Sequence, residues 1–324
     1  MDAIAVEDLR KTYRGGVEAL RGVSFTVQAG EVFGLLGPNG AGKSTTVKIL
    51  TTLSTPSAGR AQVAGRDVVR EPREVRRRIG CVGQSSGVDV NSSGRENLLL
   101  QGRLHGMAGP ELGSRAAQLL ELFELAAAGD RMVRTYSGGM KRRLDVAMGL
   151  VHRPVVLFLD EPTTGLDPES RANLWSEVRR LAGEGLTILM TTHYLEEADQ
   201  LAQRLAIIDR GQIVAAGTPD ALKGALEGDR LRLELGDAER AAAAEPLLRA
   251  TEGVASVLRD GAVLFARVAH GGRAIPVVVG ALERAGFTTE EVAASRPSLD
   301  DVYLHATGHT FSEGDAAEKP RPRP

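Results

Sequence analysis

The sequence predicts an α/β fold: a mainly parallel sheet carrying an antiparallel β subdomain and a helical subdomain, followed by a small C-terminal α+β domain. Three observations carry this. A glycine-rich loop, GPNGAGKST over 37–45, lies between a strand-like and a helix-like run. Beyond it, short apolar runs alternate with amphipathic segments, the pattern of parallel strands joined by helices. Past about residue 225 the alternation is replaced by a different order of shorter elements.

Each element has a local reason. Residues 1 to about 36 alternate apolar and polar side chains, with turn signals at Gly15-Gly16 and Ala29-Gly30, which suits antiparallel strands. Glu31 to Leu36 (EVFGLL) has the aliphatic content of a buried strand, and Ser44 to Leu53 can continue as a helix. The segment from about 92 to 150 is helical in character. Within it, Glu111 to Leu125 repeats apolar residues every three and four positions. Val155 to Leu159 and Leu186 to Met190 read as buried strands, with the amphipathic Trp175 to Leu181 between them. In the last part, Arg230 to Leu235 reads as strand and Asp237 to Ala250 as helix, followed by two strands joined at Asp260-Gly261. A helix over Ile275 to Ala285, a strand over Thr288 to Ala293 and a helix opened by Ser298 with Asp301 three residues on complete it. That βαββαβ order is ferredoxin-like. The domains expected are therefore 1–224 and 225–308, with the polar, proline-rich 309–324 as a disordered tail.

Composition narrows the class. The 324-residue chain is 42% hydrophobic and 25% charged, as ordinary globular proteins are. Its 40 basic and 42 acidic side chains leave a formal net charge of -2, which gives no electrostatic case for a nucleic-acid partner. The single Cys81 excludes a disulfide or a cysteine metal cluster and reads as a core thiol in a strand. No apolar run approaches the roughly 18 to 20 residues that cross a bilayer, and MDAIAVEDLR lacks the order of a secretion signal. Any membrane role is then expected to run through a partner. The basic run REVRRR over 73–78 reads as a solvated helical face.

The chemistry starts at the loop. Its glycines, Gly37, Gly40 and Gly42, admit backbone conformations in which successive N–H groups point at phosphate oxygens, and the following helix adds its positive end. Pro38, Asn39 and Ala41 complete the cradle. Lys43 supplies a charge for the β and γ phosphates of a nucleoside triphosphate, and the Ser44 hydroxyl, with Thr45 beside it, is placed for magnesium. VVLFL ends in Asp160, a carboxylate for the magnesium shell if its strand neighbours the loop; Glu161 follows as candidate general base or water-positioning group. Tyr136 to Met140 (YSGGM) is a second glycine turn before a helical run, another anion site. His193, after LTILMTT, reaches the same sheet edge.

With these residues in order, the chain resembles the ATP-binding subunits of ABC transporters, which are P-loop NTPases. The resemblance covers residues 3 to about 220. GPNGAGKST resembles their Walker A, Gln84 in CVGQS their Q-loop, YSGGMKRRLD their signature, VVLFLDE their Walker B, TTGLD with Asp167 their D-loop and TTHYLEEAD their H-loop. Tyr136 and Met140 depart from the Leu and Gln commoner at the signature's ends. Tyr13 matches the aromatic position that stacks on adenine in that family.

The resemblance implies ATP and Mg2+ as ligands and a head-to-tail homodimer, in which Ser137, Gly138 and Gly139 of one copy complete the ATP site of the other. It implies that Gln84 senses the γ-phosphate through magnesium and transmits closure to a polytopic membrane permease, at the cytoplasmic face of the cell membrane. YSGGM, GRENL at 94–98, GRLHG at 102–106 and SLDDVYLHATG at 298–308 are similar to the daunorubicin-resistance type of these subunits, which powers efflux of drugs or lipids. The alternative is a soluble ATP switch of the same superfamily. Such switches usually carry two cassettes or a long coiled-coil insertion, and this chain has neither. A substrate-phosphorylating kinase would not need the YSGGM loop.

Overall fold

The computed structural model describes residues 2–308 and residue 310. The expected tail, 309–324, lies outside them except for Thr310, whose N–H donates to Asp260 Oδ2 at 3.3 Å. The chain divides into two compact units between Ile213 and Val214, about eleven residues before the boundary read from composition.

In the first unit, strands β1 (Asp2–Thr12) and β2 (Glu18–Gln28) pair antiparallel. β3 (Val32–Leu36) leads through the loop into helix α1 (Lys43–Leu50). β4 (Ala58–Val63) and the two-residue β5 (Arg66–Asp67) join the first hairpin in a sheet of order β2-β1-β4-β5. Helix α2 (Pro72–Arg78) buries only Val75 and leads into β6 (Ile79–Val82), so REVRRR does form a largely solvated helical face. Helices α3 (Gly94–Leu104), α4 (Gly109–Leu122) and α5 (Gly138–Gly149) form the helical part. Then β7 (Val156–Asp160), α6 (Pro168–Gly183), β8 (Thr187–Thr192), α7 (Leu195–Leu201), β9 (Arg204–Asp209) and β10 (Gln212–Gly217) follow.

The six-stranded sheet has the order β10-β9-β3-β8-β7-β6, and its four pairings from β9 through to β6 are parallel. β3, β7 and β8 are buried along their whole lengths, as strands covered on both faces must be. Alternate residues feed two cores. Leu157 and Leu159 of β7, with Ile188 and Met190 of β8, pack with Leu98, Leu112 and Leu119 of the helical layer. Val156, Phe158 and Leu189 pack on the other face with Ile4, Val6 and Val23 of the antiparallel sheet. Fully burying each such side chain contributes about 1.5–3 kcal/mol, so the sheet is a rigid floor for whatever its edge carries.

The second unit begins inside β10 and continues with helix α8 (Pro219–Gly224). It then runs β11 (Asp229–Glu234), α9 (Ala238–Ala250), β12 (Val254–Asp260), β13 (Val263–Val268), α10 (Gly271–Arg284), β14 (Glu291–Ser295) and α11 (Leu299–Thr307). The sheet order β12-β13-β11-β14, antiparallel at each pairing, closes over its own core of Leu231, Leu233, Leu264, Ala266, Val278 and Leu282. This is the βαββαβ unit expected from the sequence. α11 opens with a capping box: Ser298 Oγ accepts from Asp301 N–H, and Asp301 Oδ2 accepts from Ser298 N–H.

Candidate functional site

Strand order sets the geometry. β3 ends at Leu36, β8 at Thr192 and β7 at Asp160, and because they run parallel their carboxyl ends share one sheet edge. β3 and β7 are not neighbours, since β8 lies between them. The condition read from the sequence, that the two strands be neighbours, is not met, yet Asp160 stands beside the loop, which reaches it across β8. Ser44 Oγ donates to Asp160 Oδ1 at 3.2 Å, and Thr191 Oγ1 of β8 donates to the same oxygen at 2.6 Å. Thr191 Oγ1 also accepts the Glu161 N–H at 3.0 Å. One hydroxyl on the intervening strand thus joins the two carboxylate residues.

The loop is packed hard on its protein side. A Cβ on Gly37 would lie 2.2 Å from Ile208 O, and one on Gly42, where φ is +113°, would lie 2.7 Å from Ala19 O. Only glycine fits that approach and that backbone. Gly37 N–H donates to Thr192 O at 3.3 Å, and Ala41 N–H to Pro38 O at 3.2 Å, which fixes the turn. Asn39, Gly40, Gly42, Lys43, Ser44 and Thr45 face a cavity of about 230 Å³, with Gln84 and Glu161 on its other side. The first N–H groups of α1 have no partner within the helix, so the cavity receives donors and a positive dipole end.

Lys43 and Glu161 meet inside this site. Lys43 Nζ lies 3.1 Å from Glu161 Oε1 and donates to Gly37 O at 2.7 Å and Pro38 O at 3.1 Å. Burial pulls the Lys43 ammonium below its ordinary range, and the charge of Glu161 offsets part of that. Burial alone would raise the Glu161 carboxyl, but His193 and Lys43 hold it down at about 2. His193 Nδ1 lies 3.1 Å from Glu161 Oε2, off the line of a hydrogen bond. Glu161 also has φ +48°, a left-handed backbone rare for a residue with a side chain and costing about 1–3 kcal/mol. Strain is thus held at the residue expected to do the chemistry.

The other candidates divide. Gln84 is exposed on the loop after β6 and lines the cavity. Tyr13 is 40% exposed, and its hydroxyl lies 3.4 Å from Thr45 Oγ1, at the cavity's rim. Ser137, Gly138 and Gly139 do not line the cavity. Ser137 caps α5, its Oγ accepting from Met140 N–H at 3.2 Å, and with Gly138 it is exposed. Asp167 is likewise outside: it caps α6, taking Ser170 N–H at 2.9 Å and Ser170 Oγ at 2.7 Å. Tyr136, the departure at the signature's start, is buried and donates through its hydroxyl to Ala128 O at 2.7 Å.

Three residues of this region escape sequence reading. Thr191 looks like any β-branched strand residue. Arg142 is buried and reaches Pro162 O at 2.6 Å and Gly83 O at 2.8 Å, while Asp145, one helical turn on, takes the Gly87 N–H at 3.0 Å. The available signal was an Arg and an Asp three apart, on the helix face that also carries Leu144, Val146 and Ala147 into the core, beside the charged Lys141 and Arg143. Cys81 is a further correction. It is exposed, because β6 is the sheet's edge strand. Crowding by surrounding chain, with the charge of Asp160, still pushes its thiol up to about 11.

The residues fit a nucleoside triphosphate: a glycine cradle too tight for a Cβ on the protein side, helix N–H donors, and an ammonium turned into the same cavity. Comparisons with known proteins agree. The family described as ABC transporter matches residues 20–164. The chain is 51% identical to the daunorubicin resistance ATP-binding protein DrrA3 of Streptomyces coeruleorubidus, over 97% of this chain and 99% of that protein. It is 39% identical to the Nod factor export ATP-binding protein I of Paraburkholderia xenovorans, over 96% and 99%. Among solved structures, a dimeric ATP-binding cassette in a post-hydrolysis state, bound to ADP and Pi, superposes with a TM-score of 0.61 at 25% identity, covering 66% of this chain and 98% of that one. This chain therefore belongs to the ATP-binding, ATP-hydrolysing subunits of the ABC transporter family.

Proposed function

We propose that this ATPase is the energy-coupling subunit of an exporter for drug-like or lipid-like compounds, acting as a homodimer on a polytopic membrane permease at the cytoplasmic face of the cell membrane. The observation that carries the reading is the length of the similarity: it runs through this chain's second unit as well as its first, and along nearly the whole of a daunorubicin resistance protein and of a Nod factor export protein. No helix among the described residues is long and apolar enough to cross a membrane, so the path for substrate belongs to a partner.

The residues support a division of labour. Lys43 and the loop N–H groups hold the β and γ phosphates. The Ser44 hydroxyl, the Asp160 carboxylate and the Gln84 amide oxygen are the kind of oxygen donors that suit a hard cation, and they would hold Mg2+. When bound there, Mg2+ supplies charge neutralisation between the phosphates. Glu161, held ionised, orients water and takes its proton; His193 holds the Glu161 carboxylate in place. Tyr13 at the rim receives the adenine ring. The Ser137-Gly138-Gly139 turn, with Ser137 and Gly138 exposed and outside its own cavity, completes the site of a second copy, with Asp167 at the same face. ATP binding then closes the dimer and hydrolysis reopens it.

Expressing the tagged chain with its neighbouring genes and purifying it in detergent tests the coupling. Recovery of a polytopic membrane protein is the expected result. A chain that stays in the soluble fraction alone, hydrolysing ATP, would make it a soluble switch.

A further inference from the structure

Gln84 stands on an irregular loop between β6 and α3, yet a residue that reports on the γ-phosphate must be held to a fraction of an ångström. The stretch holding Gln84 is fastened on both sides to one helix. At its start, Gly83 O accepts from Arg142 NH1 at 2.8 Å; past Gln84, Gly87 N–H donates to Asp145 Oδ1 at 3.0 Å. Arg142 and Asp145 are one turn apart on α5 and face each other, NH1 to Oδ2, at 3.7 Å. The two side chains are 10% and 7% exposed, so the charged end of each bond is buried, while Gly83 is half-buried and Gly87 exposed.

The same guanidinium reaches the end of β7. Its Nε donates to Pro162 O at 2.6 Å, and its NH2 lies 3.4 Å from Asp160 O and 3.5 Å from Glu161 O. α5 itself begins at the Ser137-Gly138-Gly139 turn, four to five residues before Arg142. One rigid helix therefore carries the exposed glycine turn at its N-terminus and, within two turns, grips the Gln84 loop and the strand end bearing Glu161.

We propose that Arg142 and Asp145 are positioning residues that set Gln84 relative to the glycine turn, so that a shift of α5 at a second copy's site is passed to Gln84 in its own chain. This rests on the role given to Gln84 above. The competing reading is a structural stitch: a buried ion pair fixing α5 to the sheet with no particular bearing on Gln84. The two differ in coupling. A positioning pair loses its effect when Gln84 is already gone, whereas a stitch costs the same in either background.

The test uses the full chain and its ATP turnover in wild type, Gln84→Ala, Asp145→Ala and the double variant, with hydrogen exchange of the Gly87 amide and thermal melting alongside. Asp145→Ala should lower kcat about tenfold with KM for ATP within about twofold, and add no more than about twofold in the Gln84→Ala background. Asp145→Asn keeps an acceptor for Gly87 N–H and should restore kcat and amide protection. Where Asp145→Ala does not fold, Asp145→Ser takes its place: the hydroxyl keeps a polar group in that space but ends short of the Gly87 N–H, so the same non-additive loss is expected. An equal loss in both backgrounds, a raised KM at unchanged kcat, or unchanged turnover overturns the inference. Full turnover in Gln84→Ala removes the role of Gln84 and the inference with it. A loss in Gln84→Ala with none in Asp145→Ala removes the inference alone.

Discussion

The ammonium of Lys43 and the carboxylate of Glu161 meet at 3.1 Å with 4% and 6% of their side chains exposed. One belongs to the phosphate loop on β3 and the other to the end of β7, two strands away, so this pair spans the site across β8. Burying two charges is costly, and the cost is offset here by Gly37 O and Pro38 O on the lysine and by His193 near the carboxylate. A site that keeps both groups charged keeps both ready for phosphate and water.

Lys43→Ala should therefore weaken nucleotide binding. Charge-assisted hydrogen bonds contribute about 1.5–3 kcal/mol, which corresponds to a loss of affinity of about tenfold to a hundredfold. Titration of the variant with a fluorescent ATP analogue measures it. Wild-type affinity would mean that the loop does not use Lys43.

Glu161→Gln should keep ATP binding and lose turnover by about a hundredfold or more, accumulating an ATP-bound dimer. Size-exclusion chromatography with ATP, beside a phosphate-release assay, reads both; full turnover would move the base elsewhere. The variant also has a pH signature. Glu161 falls from the ordinary 4.5 to about 2 in the folded chain, so its ionised form stabilises the fold above pH 4.5, and that contribution is lost as pH falls through about 2. The melting temperature of the wild type, relative to Glu161→Gln, should drop between pH 4.5 and 2.

Much of the site was legible because its chemistry is local. The cradle, its lysine and its hydroxyl occupy nine consecutive residues, and the acids end an apolar run that can only be a buried strand. Strand order was not legible: nothing near Asp160 says that β8 intervenes, and Thr191 becomes a bridge only because it does. Element edges failed for similar reasons. The sequence places a helix over Ile275 to Ala285, yet α10 begins at Gly271, whose N–H is caught by Asp229 Oδ2 from β11 at 2.8 Å. That cap comes from 42 residues away.

The glycine turn separates effects within the chain from effects on a second copy. A Cβ on Gly139 would lie 2.4 Å from Ser170 Oγ, and Ser170 holds the cap on α6 through Asp167. Gly139→Ala should lower the melting temperature, since losing such a cap costs about 0.5–2 kcal/mol. A Cβ on Gly138 meets nothing within 4 Å. Gly138→Ala should melt at or above the wild-type temperature, yet lose ATP turnover about tenfold if the turn faces phosphate across a dimer. Wild-type turnover in that variant would argue that the turn faces no second copy's ATP.

Removing the second unit should leave nucleotide binding in place. β10 has its partner β9 in the main sheet and is kept through Gly217, whereas α8 packs on α11 and is removed with the second unit, so the cut falls before Thr218 rather than at residue 225. The second unit has its own core, with Leu231, Leu233, Leu264 and Leu282 fully buried, and none of its described residues lines the phosphate cavity. The truncated chain should melt cooperatively and bind ATP within about threefold of the full chain, a change of under 1 kcal/mol. A truncated chain that unfolds would show that the two units are one cooperative body. One that binds ATP but no longer recovers a membrane partner would assign docking to the second unit.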